Sequence, residues 1–214
     1  MHRIALLVVA LAAPAAETDL AKLLKGVENH YNRARTLQVG FEQSYSAPSR
    51  GRRTESGELF LRKPGKMRWN YAQPAGKLLV SDGKDVYFYS PNTNRVEKMK
   101  LKESEDLRAP LAFLLGRLDF RRDFGEFRTR AEGEGQWITA IPKSDRLPYR
   151  QVEFLVTRGF EIRQLKIAGQ DNSVLEFRFE RERLNPPLGD ALFKFQAPAG
   201  AEVVETAAPE GAER

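Results

Sequence analysis

The chain has 214 residues, 41% of them hydrophobic and 30% charged, a composition that excludes disorder over the whole length. It contains no cysteine, which excludes disulfides and thiol chemistry. The net charge of +6 suggests nucleic acid as a partner, but the basic residues are scattered along the chain. We therefore expect a basic, solvated surface and no nucleic-acid partner, with an anionic membrane surface or an acidic protein as the functional alternative.

The first sixteen residues have the pattern of a secretory signal peptide. His2 and Arg3 form a short basic start, Ile4 to Ala13 is an unbroken apolar run, and Ala13-Pro14-Ala15 supplies small residues for cleavage. A run of ten apolar residues is too short to span ~30 Å of hydrocarbon, which disfavours a membrane anchor. We expect residues 1–16 to be removed on export and the mature chain to be soluble.

An amphipathic helix is predicted next. Thr18 or Asp19 can cap its start, and apolar residues recur at helical spacing from Leu20 to Ala34. Polar residues occupy the opposite face, so the helix needs an apolar surface to lie on.

From Leu37 onward the apolar period is two, which indicates strands separated by turn signals such as Pro64-Gly65 and Asp82-Gly83. The predicted strands are Leu37 to Tyr45, Gly57 to Arg62, Met67 to Ala72, Leu78 to Ser81, Val86 to Ser90, Arg95 to Leu101, Phe124 to Ala131, Gln136 to Ile141, Gln151 to Thr157, Phe160 to Ala168 and Val174 to Arg183. Eleven short strands with tight turns predict a single domain over residues 17–204. We expect an α+β domain whose mainly antiparallel sheet curls toward a barrel. A disordered tail should follow over residues 205–214.

Catalytic motifs are scarce. The one histidine of the mature chain, His30, has no nucleophile motif near it and too few partners for zinc, so we interpret it as a helix-surface residue. No phosphate-binding glycine motif is present. A carboxylate pair assembled in space, as in a glycosidase, stays open as a minor alternative. We expect no enzyme activity, no metal and no cofactor.

Large apolar residues share strand faces at several places along the sheet. These sets are Leu59 and Leu61; Met67, Trp69 and Tyr71; Val86 and Phe88; Trp137 and Ile141; and Leu175, Phe177 and Phe179. One helix packed on a half-curled sheet would bury most of this surface as a core. The alternative is the lining of a cavity, which is favoured by the large aromatic residues. The apolar, helix-prone insertion Pro110 to Leu118 also favours it, because it resembles a plug.

The segment from Gly57 to Tyr71 (GELFLRKPGKMRWNY), with Gln73-Pro74, resembles the signature of the outer-membrane lipoprotein carrier protein (LolA) family. Further matching segments are Val80 to Lys84, Val86 to Pro91, Pro110-Leu111 and Phe193 to Gly200. The resemblance runs from about Thr18 to Val204. It implies an incomplete, unclosed barrel of about eleven strands with a helical lid over an apolar cavity. It further implies a carrier that takes triacylated lipoproteins from an inner-membrane ABC transporter across the periplasm to an outer-membrane acceptor. We expect a monomer.

Carried over by position, the resemblance implies roles for individual residues. The lipid-binding wall is Leu59, Leu61, Met67, Trp69, Tyr71 and Phe88, and the lid residues are Leu111, Phe113 and Leu114. Family members often place an Arg before the Pro of the strand-end motif, where it hydrogen-bonds lid carbonyls; this chain has Lys63 there. Arg62 beside it should point to the opposite sheet face, which makes it an awkward replacement.

Two other functions remain. Relatives with the same fold that carry or sense other lipids, such as glycolipids, are the nearer alternative. A secreted hydrolase is the more distant one.

Overall fold

The computed structural model describes residues 13–48, 50–101, 118–145 and 147–205. Helix α1 (Ala13–Arg33) and a short helix α2 (Phe120–Asp123) accompany the strands. The strands are β1 (Thr36–Ala47), β2 (Arg50–Arg62), β3 (Lys66–Gln73), β4 (Leu78–Asp82), β5 (Asp85–Ser90), β6 (Arg95–Lys100), β7 (Phe124–Glu132), β8 (Gly135–Pro142), β9 (Tyr149–Val156), β10 (Ile162–Gly169), β11 (Val174–Leu184) and β12 (Glu202–Glu205).

The described strands form one sheet of twelve, in the order β12-β6-β5-β4-β3-β2-β1-β11-β10-β9-β8-β7. Strands β1 to β6 make one antiparallel meander and β7 to β11 make another, and the β1–β11 pair joins them. No ladder in the described residues joins the edge strands β7 and β12, so the barrel is unclosed. The predicted fold class, a mainly antiparallel unclosed barrel, is confirmed.

The two faces of the sheet bury different segments. The inner face, defined here as the face that α1 covers, carries one continuous apolar cluster that includes Leu24, Val27 and Tyr31 of α1. The outer face is crossed by the chain after β11, where Phe193 is 1% exposed and Phe195 stacks on Tyr87 with ring centroids 4.8 Å apart. The chain then forms β12, which pairs in parallel with β6.

Several boundaries differ from the sequence prediction. Helix α1 begins at Ala13, ahead of the predicted cap at Thr18 or Asp19, because the alanine-rich run before that cap has high helix propensity. Strand β2 begins at Arg50, ahead of its predicted start at Gly57. The residues before Gly57 show no apolar alternation, but β1 pairs with β2 along its length. The last strand, β12, was not predicted, and it extends to Glu205, the first residue of the predicted tail.

Trp137 and Ile141, which were predicted to share a strand face, lie on the outer face of the sheet and not on the inner face that would line a cavity. In β8 the buried residues are Ile138 and Ala140, which leaves Trp137 and Ile141 half-buried on the outer face. The Trp137 indole donates to the Glu132 carboxylate over 2.8 Å. The strand prediction for this segment is correct, but its inner face is the one carrying Ile138.

Candidate functional site

The six predicted wall residues lie together on the inner faces of β2, β3 and β5. Strand register places Leu61 opposite Met67 and Leu59 opposite Trp69. Leu59, Leu61, Met67 and Trp69 are each at most 3% exposed, and Tyr71 and Phe88 are half-buried against them. The period-two pattern of three strands therefore builds one apolar surface, which we call the wall.

Aromatic rings extend the wall onto β1 and β11. The ring centroids of Phe41 and Trp69 are 4.7 Å apart, those of Phe41 and Tyr71 are 5.3 Å apart, and those of Trp69 and Phe177 are 6.0 Å apart. The Phe41 contacts are edge-to-face, a geometry that aromatic pairs favour. Strands from both meanders thus contribute to one continuous apolar face.

The glycine that opens the family-like segment has a steric role beside the wall. Gly57 pairs with Tyr71 next to a register shift between β2 and β3. An added Cβ at Gly57 would overlap with the backbone carbonyl oxygen of Asn70. The close approach of the two strands therefore requires glycine at this position.

Helix α1 packs on the inner face of the sheet, in the same apolar cluster as the wall. Leu24, Val27 and Tyr31 belong to the same apolar cluster as the wall residues, and Leu20 and Leu23 pack against it. In this structure the wall is packed against protein side chains. A ligand that is to lie on the wall must displace part of this cover.

Lys63 fixes the end of α1 to the sheet. Its ammonium donates to the backbone carbonyl oxygen of Tyr31 over 2.7 Å, and its backbone N–H donates to the carbonyl oxygen of Arg35 over 2.9 Å. Burial lowers the pKa of Lys63. The predicted partner of Lys63 was the backbone of the Pro110 to Leu118 segment, most of which lies outside the described residues.

Arg62 points away from the wall, as the strand alternation predicts. Its guanidinium lies over the Phe193 ring, 5.4 Å from the centroid, and it hydrogen-bonds the Leu188 carbonyl oxygen and the Asp190 carboxylate. Lys66 also binds Asp190, at 2.9 Å. These cations hold the pKa of Asp190 below its usual value. Arg62 therefore anchors the outer-face segment.

The predicted lid residues Leu111, Phe113 and Leu114 lie outside the described residues. The end of this insertion, Leu118, is buried. Its backbone N–H and carbonyl both hydrogen-bond the Asn32 side chain of α1, at 2.7 and 2.8 Å. The chain that leaves the insertion is thus tied to α1.

The Glu182 carboxylate of β11 binds two side chains of α1. Glu182 lies 2.7 Å from the His30 ring and accepts from the Tyr31 hydroxyl over 2.8 Å. The same hydroxyl accepts from the backbone N–H of Ile162 over 2.8 Å. Burial, followed by the Glu182 charge, raises the pKa of Tyr31 well above its ordinary value. The interpretation of His30 as a helix-surface residue is therefore wrong, since it is half-buried and paired.

Sequence periodicity did not reveal Glu182. The even-numbered carboxylates Glu176 and Glu180 of β11 lie on the outer face, whereas Glu182 turns inward. Arg181 has a φ of +55°, and the β1–β11 register shifts beside it. This bulge reverses the alternation for the last residues of the strand.

The wall ends in a charged pair near the β3–β4 turn. Lys77 donates to both carboxylate oxygens of Glu55, at 2.6 and 2.7 Å, and Gln43 donates to the same carboxylate over 2.6 Å. The Lys77 ammonium lies 4.3 Å from the centroid of the Tyr71 ring and 5.2 Å from that of Phe88. The sequence analysis missed this pair, although alternation back from Leu59 puts Glu55 on the inner face.

The described residues contain no group of three or more His, Asp or Glu side chains placed to hold a metal ion. Within the same ranges, no helix combines the length and apolar character needed to cross a bilayer.

Comparisons with known proteins agree with this geometry. The model of the family described as outer membrane lipoprotein carrier protein LolA matches residues 32–196. The outer-membrane lipoprotein carrier protein of Nitrosomonas europaea is 30% identical, covering 86% of this chain and 89% of that protein. The one of Chromobacterium violaceum is 30% identical over 91% of both chains.

Among solved structures, an uncharacterized conserved protein from Thermus thermophilus superposes with a TM-score of 0.54. The two chains are 12% identical, and the match covers 88% of this chain and 99% of that one, which indicates a shared fold. The family match spans most of the described sheet, including the wall. The chain belongs to the outer-membrane lipoprotein carrier protein LolA family.

Proposed function

We propose that this protein is a periplasmic carrier. It binds the acyl chains of lipoproteins released from the inner membrane by an ABC transporter and delivers them to an outer-membrane acceptor. One observation carries the proposal: six apolar side chains form a continuous wall within an apolar cluster that also contains the apolar face of an amphipathic helix. The names of the curated relatives support lipoproteins as the cargo. In this proposal the protein performs no chemistry.

The energetics of acyl chains explain why the wall needs a cover. Burial of an acyl chain stabilises by ~0.8 kcal/mol per methylene, so an open apolar wall would hold cargo too tightly and would also aggregate. A cover that packs its own apolar residues on the wall reduces the net affinity to a difference between two burials. Uptake then depends on work done by the transporter, and transfer runs downhill to the acceptor.

In this proposal, the cover consists of α1 and of Leu111, Phe113 and Leu114. Lys63 is the latch, and its bond to the Tyr31 carbonyl supports a role in holding α1 on the wall. Residues 1–16 direct export.

The test is transfer of a triacylated lipoprotein from the purified carrier to outer-membrane vesicles. Replacement of Phe113 and Leu114 together by Asn should weaken the covered state and change the transfer rate, because polar side chains gain nothing on an apolar wall. Val203→Asn is the control, since Val203 is 52% exposed on β12. An unchanged rate in the double variant would contradict the lid assignment.

The cargo itself is tested by mass spectrometry of lipids bound to the native protein. Triacylated lipoprotein supports the proposal. A bound glycolipid in its place would assign the wall to a different carrier function.

A further inference from the structure

The inner face of the sheet is apolar along the wall, and the wall ends at a charged pair formed by Glu55 and Lys77. The side chains of these residues are 10% and 15% exposed, so both charges are largely withdrawn from water. Gln43 completes the group by donating to Glu55 and by hydrogen-bonding the Tyr71 hydroxyl. We call Gln43, Glu55, Tyr71 and Lys77 the polar end of the wall.

Fold stability alone does not explain this arrangement. Desolvation of two charges offsets much of their attraction, and apolar residues of similar volume often replace such pairs without loss of stability. The pair also contacts two of the six wall residues, since the Lys77 ammonium lies over the rings of Tyr71 and Phe88. Its position points to a role in what the wall binds.

The polar end still has hydrogen-bonding capacity. An ammonium has three N–H bonds, and among the described residues the side-chain acceptors of Lys77 are the two Glu55 oxygens. The third N–H is left with the rings of Tyr71 and Phe88, a weaker contact that a carbonyl oxygen of a ligand can replace. The Tyr71 hydroxyl adds a second group at the same place, and burial together with the Glu55 charge raises its pKa, which keeps it protonated.

A ligand with acyl chains requires such donors. Each chain ends in an ester or amide carbonyl, which leaves water together with the chain. Burial of that carbonyl without a hydrogen bond opposes binding. A donor at the end of an apolar wall removes this penalty and also fixes how far along the wall the chain lies.

We propose that Lys77 and Tyr71, positioned by Gln43, bind the ester and amide carbonyls that join the acyl chains to the cargo. This inference rests on the proposed carrier function and adds a polar subsite to it. Glu55 gives the subsite its selectivity, because its carboxylate balances the Lys77 charge. A balanced pair binds neutral carbonyls and disfavours an anionic group such as a free fatty-acid carboxylate.

The experiment compares three probes on the full mature chain. They are a synthetic triacylated lipopeptide, its analogue with ether linkages in place of the esters, and palmitate. The wild-type protein should bind the ester-linked probe about tenfold more tightly than the ether-linked probe, which corresponds to the loss of one good hydrogen bond. This comparison needs no variant, so a folding defect cannot obscure it.

Two variants test the roles assigned to Lys77 and Glu55. Lys77→Met removes one of the two donors and should lower the ester-to-ether affinity ratio. Glu55→Gln leaves the Lys77 charge unbalanced and should increase palmitate affinity about tenfold, an effect that a purely structural ion pair would not produce. Lys66→Met is the control, since Lys66 binds Asp190 on the outer face.

The outcomes separate this inference from the carrier function. Equal affinity of wild type for the ester and ether probes overturns the subsite and leaves the carrier function in place. Unchanged palmitate affinity in Glu55→Gln overturns the assigned selectivity. Failure of wild type to bind either lipopeptide overturns the carrier function, and the subsite with it.

Discussion

The Lys63 ammonium donates a hydrogen bond to the backbone carbonyl oxygen of Tyr31 over 2.7 Å. This carbonyl lies in the last turn of α1 and also accepts from the Ala34 N–H over 3.2 Å. Carbonyls in the last turn of a helix lack intrahelical donors, and a cation near them also complements the helix dipole. Lys63 therefore satisfies a helix end and attaches the cover to the end of β2 at the same time.

Lys63→Met should lower the free energy of unfolding by about 1–2 kcal/mol, because a half-buried carbonyl loses a charge-assisted hydrogen bond. Lys63→Arg should retain most of the stability, since a guanidinium also donates to carbonyls. Urea unfolding measures both. Lys84→Met is the control, because the Lys84 side chain is exposed in the β4–β5 turn. A Lys63→Met variant as stable as wild type would show that this bond does not hold α1.

Tyr31→Phe removes a hydroxyl that makes hydrogen bonds to two partners. The backbone N–H of Ile162 loses its acceptor and Glu182 loses a donor, both in partly or fully buried positions. Unsatisfied buried groups cost about 1–3 kcal/mol each, so we expect a loss of at least about 1 kcal/mol in denaturant unfolding. The matched control is Tyr89→Phe, whose hydroxyl donates to Asn94 on the outer face. Equal losses in the two variants would contradict a special role for the Tyr31 hydroxyl.

Alkaline pH should reduce the folding stability that the Tyr31 hydroxyl contributes. The pKa of Tyr31 lies well above 10.0 because of burial and the Glu182 charge. Above about pH 10 the unfolded chain therefore releases a proton that the folded chain retains. The stability contribution of Tyr31 is fully present below about pH 10 and is lost as the pH rises from there through the raised folded-state pKa.

Unfolding by urea at about pH 9 and about pH 11 measures this loss. Tyr31→Phe should lose less stability between the two pH values than wild type does. Other buried tyrosines, including Tyr71, contribute a background loss in both proteins. Identical pH dependence of the two proteins would rule out the assignment to Tyr31.

Local patterns determined how much of the fold could be predicted. Alternation of large apolar and polar residues identified eleven strands and grouped Met67 and Trp69 on one strand face, because side-chain direction in a regular strand follows from position alone. That Leu59 of the neighbouring strand belongs to the same wall was implied by the family resemblance. Local patterns did not predict the pairing of β1 with β11, since this pairing joins residues far apart in the chain. The polar contacts of the site depend on such long-range pairing.

Two further failures have local causes. The bulge at Arg181 reverses the alternation of β11, so no regular pattern places Glu182 beneath α1. Strand β12 is four residues long and pairs at a sheet edge, and its surroundings in sequence are typical of a tail. Short edge strands depend on tertiary contacts more than on their own sequence.

The last prediction concerns the packing of α1 on the β9–β10 turn, where Gly26 lies under the ring of Phe160. A Cβ at Gly26 would overlap with three atoms of that ring. The backbone of Phe160 is held by its φ of +66° and by the bond from its N–H to the Thr157 carbonyl, so relief of the overlap requires the ring to rotate away from α1 and to lose its contact with the helix. Gly26→Ala should therefore destabilise the protein by about 1–3 kcal/mol, although alanine is the better helix former by about 1 kcal/mol.

A double-mutant cycle separates the clash from the helix propensity. Phe160→Ala removes the ring, so Gly26→Ala in that background should be neutral or stabilising, and the two substitutions should be strongly non-additive in urea unfolding. Gly189→Ala is the control for adding a methyl group, since nothing lies within 4 Å of a Cβ there. If Gly26→Ala stabilises the wild-type background as well, the contact with Phe160 does not position α1. Additive effects would lead to the same conclusion.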